Sequence, residues 1–206
     1  MKVAIIGLGY VGIPLAMAAV KGGIEVIGYD ISPKVISALT AKKSYLKHIA
    51  DEAIALLVDS GRFVHTNDAK DLMHAEYVII CVPTPLKLGL VPDLSFVESA
   101  VQTICDNFVN GQTVILESST YPGTTDNLVA DIFLKNGIVV YRDVFLAYSP
   151  EREDPGNKSF HTASIPKLVG SCDQVSLEKA SAMYEMFIDN VVPVESAAIA
   201  EEAKIL

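Results

Sequence analysis

The segment Gly7-Leu8-Gly9-Tyr10-Val11-Gly12 lies between a short β-rich run, Lys2 to Ile6, and an alanine-rich, helix-compatible run, Val11 to Lys21. Few features restrict a fold so tightly. In a strand–turn–helix of this form the first glycine permits the tight turn, the second lets the backbone approach a pyrophosphate, and the third allows close helix–strand packing. The helix start adds free N–H groups and the positive end of its dipole. After Gly22-Gly23 the period changes again to the β-branched run Ile24 to Tyr29, which completes a βαβ unit of the usual length of about 30 residues. Asp30 closes the second strand, 23 residues after Gly7. A carboxylate there binds the ribose hydroxyls of NAD and repels the extra phosphate of NADP. Lys34 is near enough in sequence to reach the same ribose or a phosphate. The residues therefore point to an NAD site, with a Rossmann-like sheet whose site is unused as the alternative.

Later apolar runs suit buried parallel strands: Tyr77–Val82, Thr113–Leu116, Val144–Ala147, Lys167–Val169 and Val191–Val194. Helical stretches alternate with them at Pro33–Ala41, Asp51–Val58, Leu94–Phe108, Thr125–Lys135 and Gln174–Ile188. This alternation predicts an α/β fold, a doubly wound, mostly parallel, Rossmann-like sheet with helices on both faces. Glu151–Pro166 is the longest polar stretch without clear periodicity, and long ordered loops are often functional. Residues 197–206 have helical composition and no stop signal, so the chain is expected to end at the start of a longer helix, with a dinucleotide-binding domain over residues 1–196.

Of the 206 residues, 50% are hydrophobic, which excludes disorder. The net charge is −9, divided as 9 basic and 11 acidic groups over residues 1–110 and 7 and 14 over residues 111–206. An acidic chain without a basic run argues against nucleic-acid and anionic-membrane partners. Cys81, Cys105 and Cys172 are widely spaced and odd in number, which suggests neither a disulfide framework nor a zinc site and fits a reducing cytoplasm. One feature reads otherwise. Val3 to Val20 is uncharged, and Ala16-Met17-Ala18 resembles a signal-peptidase site, but the glycines, Tyr10 and Pro14 within the run favour the βαβ reading.

In such a sheet, ligands gather beyond the carboxyl ends of the strands. The residues found there are Val82-Pro83-Thr84-Pro85, then Glu117-Ser118-Ser119-Thr120-Tyr121-Pro122-Gly123-Thr124-Thr125, then Tyr148-Ser149-Pro150-Glu151-Arg152-Glu153-Asp154-Pro155-Gly156-Asn157. Each combines hydroxyls, prolines or carboxylates in a rigid turn. Helix capping and turn chemistry are the competing explanation.

Together with Gly7–Ala16, these segments (GLGYVGIPLA, CVPTPL, ESSTYPGTT and YSPEREDPGN) resemble the UDP-glucose/GDP-mannose dehydrogenase family, and within it the UDP-N-acetylglucosamine 6-dehydrogenase branch. The resemblance implies an NAD-dependent, four-electron oxidation of a UDP-sugar C6 alcohol through a cysteine-bound aldehyde and thioester, in a homodimer. It implies that Gly7, Gly9, Tyr10, Val11 and Gly12 cradle the pyrophosphate, with Asp30 and Lys34 on the adenosine ribose side. Thr84 and Thr120 would then lie toward the nicotinamide. Glu151 matches the carboxylate that activates water for thioester hydrolysis, with Thr120 positioning that water, and Lys204 matches an oxyanion-stabilising lysine. Water attack on an acyl carbon needs a base, and the developing oxyanion needs a fixed cation or N–H donors.

Two departures stand out. A second glutamate of UDP-glucose dehydrogenases is replaced by Pro155. The family also continues for about as many residues again, through a domain that supplies the nucleophilic cysteine. Cys81 and Cys105 read as core, and Cys172 at a strand end is the least improbable substitute. Residues 197–206 thus correspond to the start of an interdomain helix, and the chain alone is expected to bind NAD without turnover. Ile199, Ala203 and Leu206 would form an apolar face that promotes weak self-association. Two other readings stay open: a self-sufficient 3-hydroxyacid-type dehydrogenase using Lys204, and a non-catalytic NAD-binding module.

Overall fold

The computed structural model describes residues 1–87, 91–151 and 166–204. It starts β1 (Lys2–Ile6), α1 (Gly12–Lys21), β2 (Glu25–Tyr29), α2 (Pro33–Thr40), α3 (Asp51–Asp59), β3 (Phe63–Thr66). A 3₁₀ turn, Ala69–His74, leads into β4 (Tyr77–Ile80), α4 (Ser95–Asp106) and β5 (Thr113–Leu116). A π-helical turn, Thr124–Val129, runs into α5 (Ala130–Lys135), followed by β6 (Phe145–Tyr148), β7 (Lys167–Gly170), α6 (Gln174–Glu185), β8 (Val191–Val194) and α7 (Ala197–Glu202).

The strands form one sheet in the order β3-β2-β1-β4-β5-β6-β7-β8. Neighbours are parallel except β6 and β7, which pair antiparallel through Tyr148 and Gly170. No helix was expected between those two runs, and an antiparallel pair needs no helical crossover. The period of two along each central strand divides the core. Val3, Ile5, Ile79, Cys81 and Ile115 enter the layer beneath α1, α3 and α6. Ala4, Ile6, Val78, Ile80, Val114 and Leu116 enter the layer beneath α4, α5 and α7. Both faces are covered, so the strands read as continuous apolar runs. The uncharged segment Val3 to Val20 is β1, the glycine turn and α1, with β1 inside the sheet. Among the described residues no helix is long and apolar enough to cross a membrane.

β3 and the 3₁₀ turn escaped the sequence reading. β3 is an edge strand in which Phe63 is buried while Val64 stays exposed, so no apolar run advertises it. The turn is held by Asp68, whose side chain accepts from the Lys70 N–H at 3.0 Å, a capping bond that needs no hydrophobic period. The helix expected over Thr125–Lys135 begins with π-helical geometry, after Gly123 at φ +90°. The helix expected over residues 197–206 is α7, with Ala203 as its C-cap and residues 205–206 outside the described residues.

Candidate functional site

The direction of the sheet reverses its helix coverage at β1 and β4, where the first connection leaves one side and the second the other. Such a switch point leaves a crevice beyond the strand ends. A cavity of about 320 Å³ sits there, lined by Gly7 and Gly9 after β1, Asp30 and Ile31 after β2, Val82 and Pro83 after β4, and Phe96 and Thr103 from α4. Its size and apolar walls suit one flat heteroaromatic group with its sugar.

The turn at its mouth is built by backbone constraints. Gly7 has φ +93°, and a Cβ there would lie 2.7 Å from the Cys81 carbonyl. At Gly12 a Cβ would lie 1.9 Å from the Gly7 carbonyl oxygen, so no side chain fits. A Cβ on Gly9 would meet nothing within 4 Å. The first and third glycines thus serve the fold, while the second keeps one face of the backbone clear for a ligand. The Leu8 N–H donates to Asp30 Oδ2 at 2.9 Å and the Ser32 N–H to Asp30 Oδ1 at 2.8 Å, while the Tyr45 hydroxyl donates to the Leu8 carbonyl at 2.6 Å. Asp30 therefore both lines the cavity and fixes the turn. The first turn of α1 carries no acidic residue and no side-chain cap. These features fit a dinucleotide. Tyr10 is exposed and stacks on the His48 ring at 4.9 Å, Val11 is half-buried beside it, and Lys34 is exposed in the first turn of α2.

Further along the same edge lie the ends of β5 and β6. Thr84 is half-buried in the turn after β4, and Thr120 is buried after β5. Tyr148, fully buried, lies close enough to Thr120, Glu201 and Glu117 to feel all three, and burial, reinforced by the Glu201 charge, pushes its hydroxyl above the usual range. Glu151 is buried just beyond β6. Its Oε2 accepts from Lys167 Nζ at 3.3 Å, and the same ammonium lies 3.0 Å from Glu117 Oε1. The sheet register explains this meeting. Because β7 runs antiparallel to β6 and pairs with it through its last residue, Gly170 opposite Tyr148, its first residue Lys167 lies beyond the end of β6, on the side to which the chain carries Glu151. The Tyr184 hydroxyl, from α6, donates to Glu117 Oε1. Burial pulls Lys167 downward, but the charges of Glu117 and Glu151 outweigh it and hold the ammonium above the ordinary lysine range.

On α7, buried Glu201 accepts from the N–H groups of Gly123 and Thr125 at 2.6 and 2.9 Å and from the Thr125 hydroxyl at 2.8 Å. It ties the loop after Thr120 to the helix on which half-buried Lys204 follows one turn later. Burial raises the Glu201 carboxyl, and those donors oppose the rise.

Lys167, Tyr184 and Glu201 were not singled out in the sequence, and Glu117 only as part of the loop after β5. The available signal was a lysine opening an apolar strand directly after Pro166, since a buried ammonium requires carboxylates. Cys81 is buried, and burial drives its thiol well up, as expected of core. Cys105 is half-buried against the second core layer. Cys172 is exposed, but burial of its sulfur and a hydrogen bond to Asp126 Oδ2 at 3.0 Å raise its thiol to about 11, away from thiolate character. Glu153, Asp154 and Pro155 lie outside the described residues.

A family model for the UDP-glucose/GDP-mannose dehydrogenase family, NAD binding domain, matches residues 1–188. The UDP-N-acetyl-D-mannosamine dehydrogenase of Pyrococcus horikoshii is 30% identical over 207 residues, 100% of this chain and 49% of that protein. The UDP-N-acetyl-D-glucosamine 6-dehydrogenase of Pseudomonas aeruginosa is 32% identical over 208 residues, 100% of this chain and 48% of that protein. Among solved structures, the UDP-D-ManNAc dehydrogenase of Pyrococcus horikoshii superposes with a TM-score of 0.91 at 31% identity, over 100% of this chain and 49% of that one. A ternary complex of GDP-mannose dehydrogenase from Pseudomonas aeruginosa gives 0.89 at 26% identity, over 100% and 48%. The chain spans about half the length of the curated relatives it matches. With the glycine cradle, the switch-point cavity and this family match in agreement, the chain belongs to the UDP-glucose/GDP-mannose dehydrogenase family, whose NAD-binding domain it carries.

Proposed function

We propose that this chain is the cofactor-binding half of an NAD-dependent nucleotide-sugar 6-dehydrogenase. The substrate would be UDP-N-acetylglucosamine or a related UDP-hexose, whose C6 alcohol becomes a carboxylate. The reaction consumes one water and two NAD⁺ and yields two NADH and three protons. The observation that carries the reading is the placement, along one sheet edge, of a glycine cradle with an acid at its second strand and a buried glutamate past β6. The relatives are dehydrogenases of UDP-N-acetyl-D-mannosamine and UDP-N-acetyl-D-glucosamine, which supports the substrate class.

NAD, when bound, supplies the acceptor for the two electrons removed in each oxidation. The protein's own residues do the rest. Gly7, Gly9, Tyr10, Val11 and Gly12 hold the pyrophosphate, and Asp30 and Lys34 serve the adenosine ribose, which the acid restricts to the form lacking a 2′-phosphate. Thr84 and Thr120 lie toward the reacting end. Glu151 takes the proton of the attacking water, which Thr120 orients, and Lys204 offers its ammonium to the oxyanion. Residues 1–196 form the cofactor domain, and α7 starts the connection from it to the substrate domain. In the longer protein we place the enzyme in the cytoplasm as a homodimer.

Calorimetric titration of this chain with NAD⁺ and NADP⁺ tests the reading. Binding of NAD⁺ with rejection of NADP⁺ is expected, together with no turnover of a UDP-hexose until the remaining half is supplied. Equal affinity for both cofactors, or for neither, would overturn it.

A further inference from the structure

Two buried carboxylates share a single buried ammonium at the end of the sheet. Lys167 Nζ lies 3.0 Å from Glu117 Oε1 and 3.3 Å from Glu151 Oε2. A charge in the interior is costly unless it is paired, and Glu117 shares this ammonium with Glu151. The shortfall shows at Glu117. Glu117 Oε1 receives both Lys167 and the Tyr184 hydroxyl, while Glu117 Oε2 is buried with no hydrogen-bond partner. A carboxylate in that state gains from a proton on either oxygen, because protonation of Oε1 also removes the charge that Oε2 carries.

We propose that Glu117 and Lys167 are positioning residues that act through Glu151, Glu117 being the store for the proton that Glu151 collects. When Glu151 has taken a proton, one Lys167 N–H bond breaks as its proton passes to Glu117 Oε1, and the lone pair this leaves on Nζ takes the proton from Glu151, whose O–H bond breaks. Lys167 ends as the ammonium it began as, Glu151 returns to its ionised form, and Glu117 holds the one proton gained. This inference rests on the reading of Glu151 as the base. It accounts for a pair of acids where the chemistry needs one, and for a lysine in the first position of a buried strand.

The surroundings agree. The groups that face Glu117 are Cys81 at the end of β4, Tyr148 on β6, Glu151 beyond it, Lys167 on β7 and Tyr184 on α6. Burial is the main cause of a Glu117 carboxyl raised to about 7, with Lys167 opposing the rise and Glu151 adding to it. A store at that level is empty or filled by small changes near neutral pH. Both tyrosines and Cys81 are held protonated by burial, so none competes for the role.

The test uses this 206-residue chain with glutamate labelled at the side-chain carboxyl carbon and followed by NMR from acid to alkaline pH. One glutamate is expected to titrate near neutrality, its signal correlated to the Glu117 backbone and absent in Glu117→Gln. In Glu151→Gln, removal of the like charge should lower the Glu117 midpoint by roughly one pH unit. Should Glu117→Gln fail to fold, the parent titration and the Glu151→Gln shift decide the matter alone. Titration of Glu117 in the ordinary carboxylate range, or a midpoint unmoved in Glu151→Gln, would overturn the proposal. The outcome is separable from the role of Glu151, which is read in the longer protein as loss of acid product in Glu151→Gln. A coupled pair with hydrolysis intact would overturn the base, and with it the store's purpose. An uncoupled pair with hydrolysis lost would overturn the store alone.

Discussion

At the scale of single residues, the three glycines of the cradle have separable duties, and substitution should separate them. Gly12→Ala forces a Cβ onto the Gly7 carbonyl, so the turn must open. A loss of about 2–3 kcal/mol or more in denaturant stability is expected, together with loss of NAD⁺ binding. Gly9→Ala has open space, and its stability should stay within about 0.5 kcal/mol of the parent. Its affinity for NAD⁺ should nevertheless fall by roughly tenfold or more, because the methyl group occupies the face where the pyrophosphate approaches. Equal damage from both would deny Gly9 a role in binding. The buried acids give a pH signature. Glu117 has a raised folded-state value of about 7, and Glu201 is also raised, both with burial as the main cause. A raised acid stabilises the fold fully below its ordinary unfolded value, and that contribution is lost as pH rises through the folded value. The urea midpoint should therefore decline from about pH 5 to about pH 8, and Glu117→Gln should flatten part of the decline. A profile that rises over that window would contradict the assignment.

At the scale of elements, the π-helical turn after Gly123 depends on a residue far along the chain. Glu201 satisfies two backbone N–H groups and a hydroxyl at its start. Glu201→Ala leaves those donors unpaired, with an expected cost of about 2–3 kcal/mol and faster amide exchange at Gly123 and Thr125. Exchange rates unchanged at both amides would show that the turn stands without the carboxylate. The element boundaries divide along a physical line. Strands buried on both faces were legible as apolar runs because each residue contributes to one core layer or the other. β3 was not legible, since an edge strand with one buried residue leaves little trace in composition. The π-helical opening of the fifth helix was equally hidden, because Glu201 and the left-handed Gly123 set it, and neither belongs to the local hydrophobic period.

At the scale of the whole molecule, exposed apolar side chains gather on α7 and on the loop packed against it. Ile199 on α7 is 47% exposed and Tyr121, in the loop that Glu201 anchors, is 46% exposed. Ala203 is half-buried, and Leu206 lies outside the described residues. Large exposed side chains on adjoining elements favour association. Sedimentation velocity at rising concentration should reveal reversible self-association, weakened in Ile199→Glu. A clean monomer at the highest concentration would refute it.

By itself the sequence determined the doubly wound sheet, the glycine turn, the acid that follows β2 and the three loops at the strand ends. All of these are local: hydrophobic period, backbone freedom and spacing act between near neighbours and survive reading one residue at a time. Only the tertiary structure decided which buried charges meet. Glu117 follows β5, Glu151 lies beyond β6 and Lys167 opens β7, and their contact follows from the antiparallel junction between β6 and β7. The same holds for Glu201 beneath the Thr125 turn. A buried charge must find its counter-charge or its hydrogen-bond donors wherever the fold places them, and that choice is made by packing in space, which no window along the chain contains.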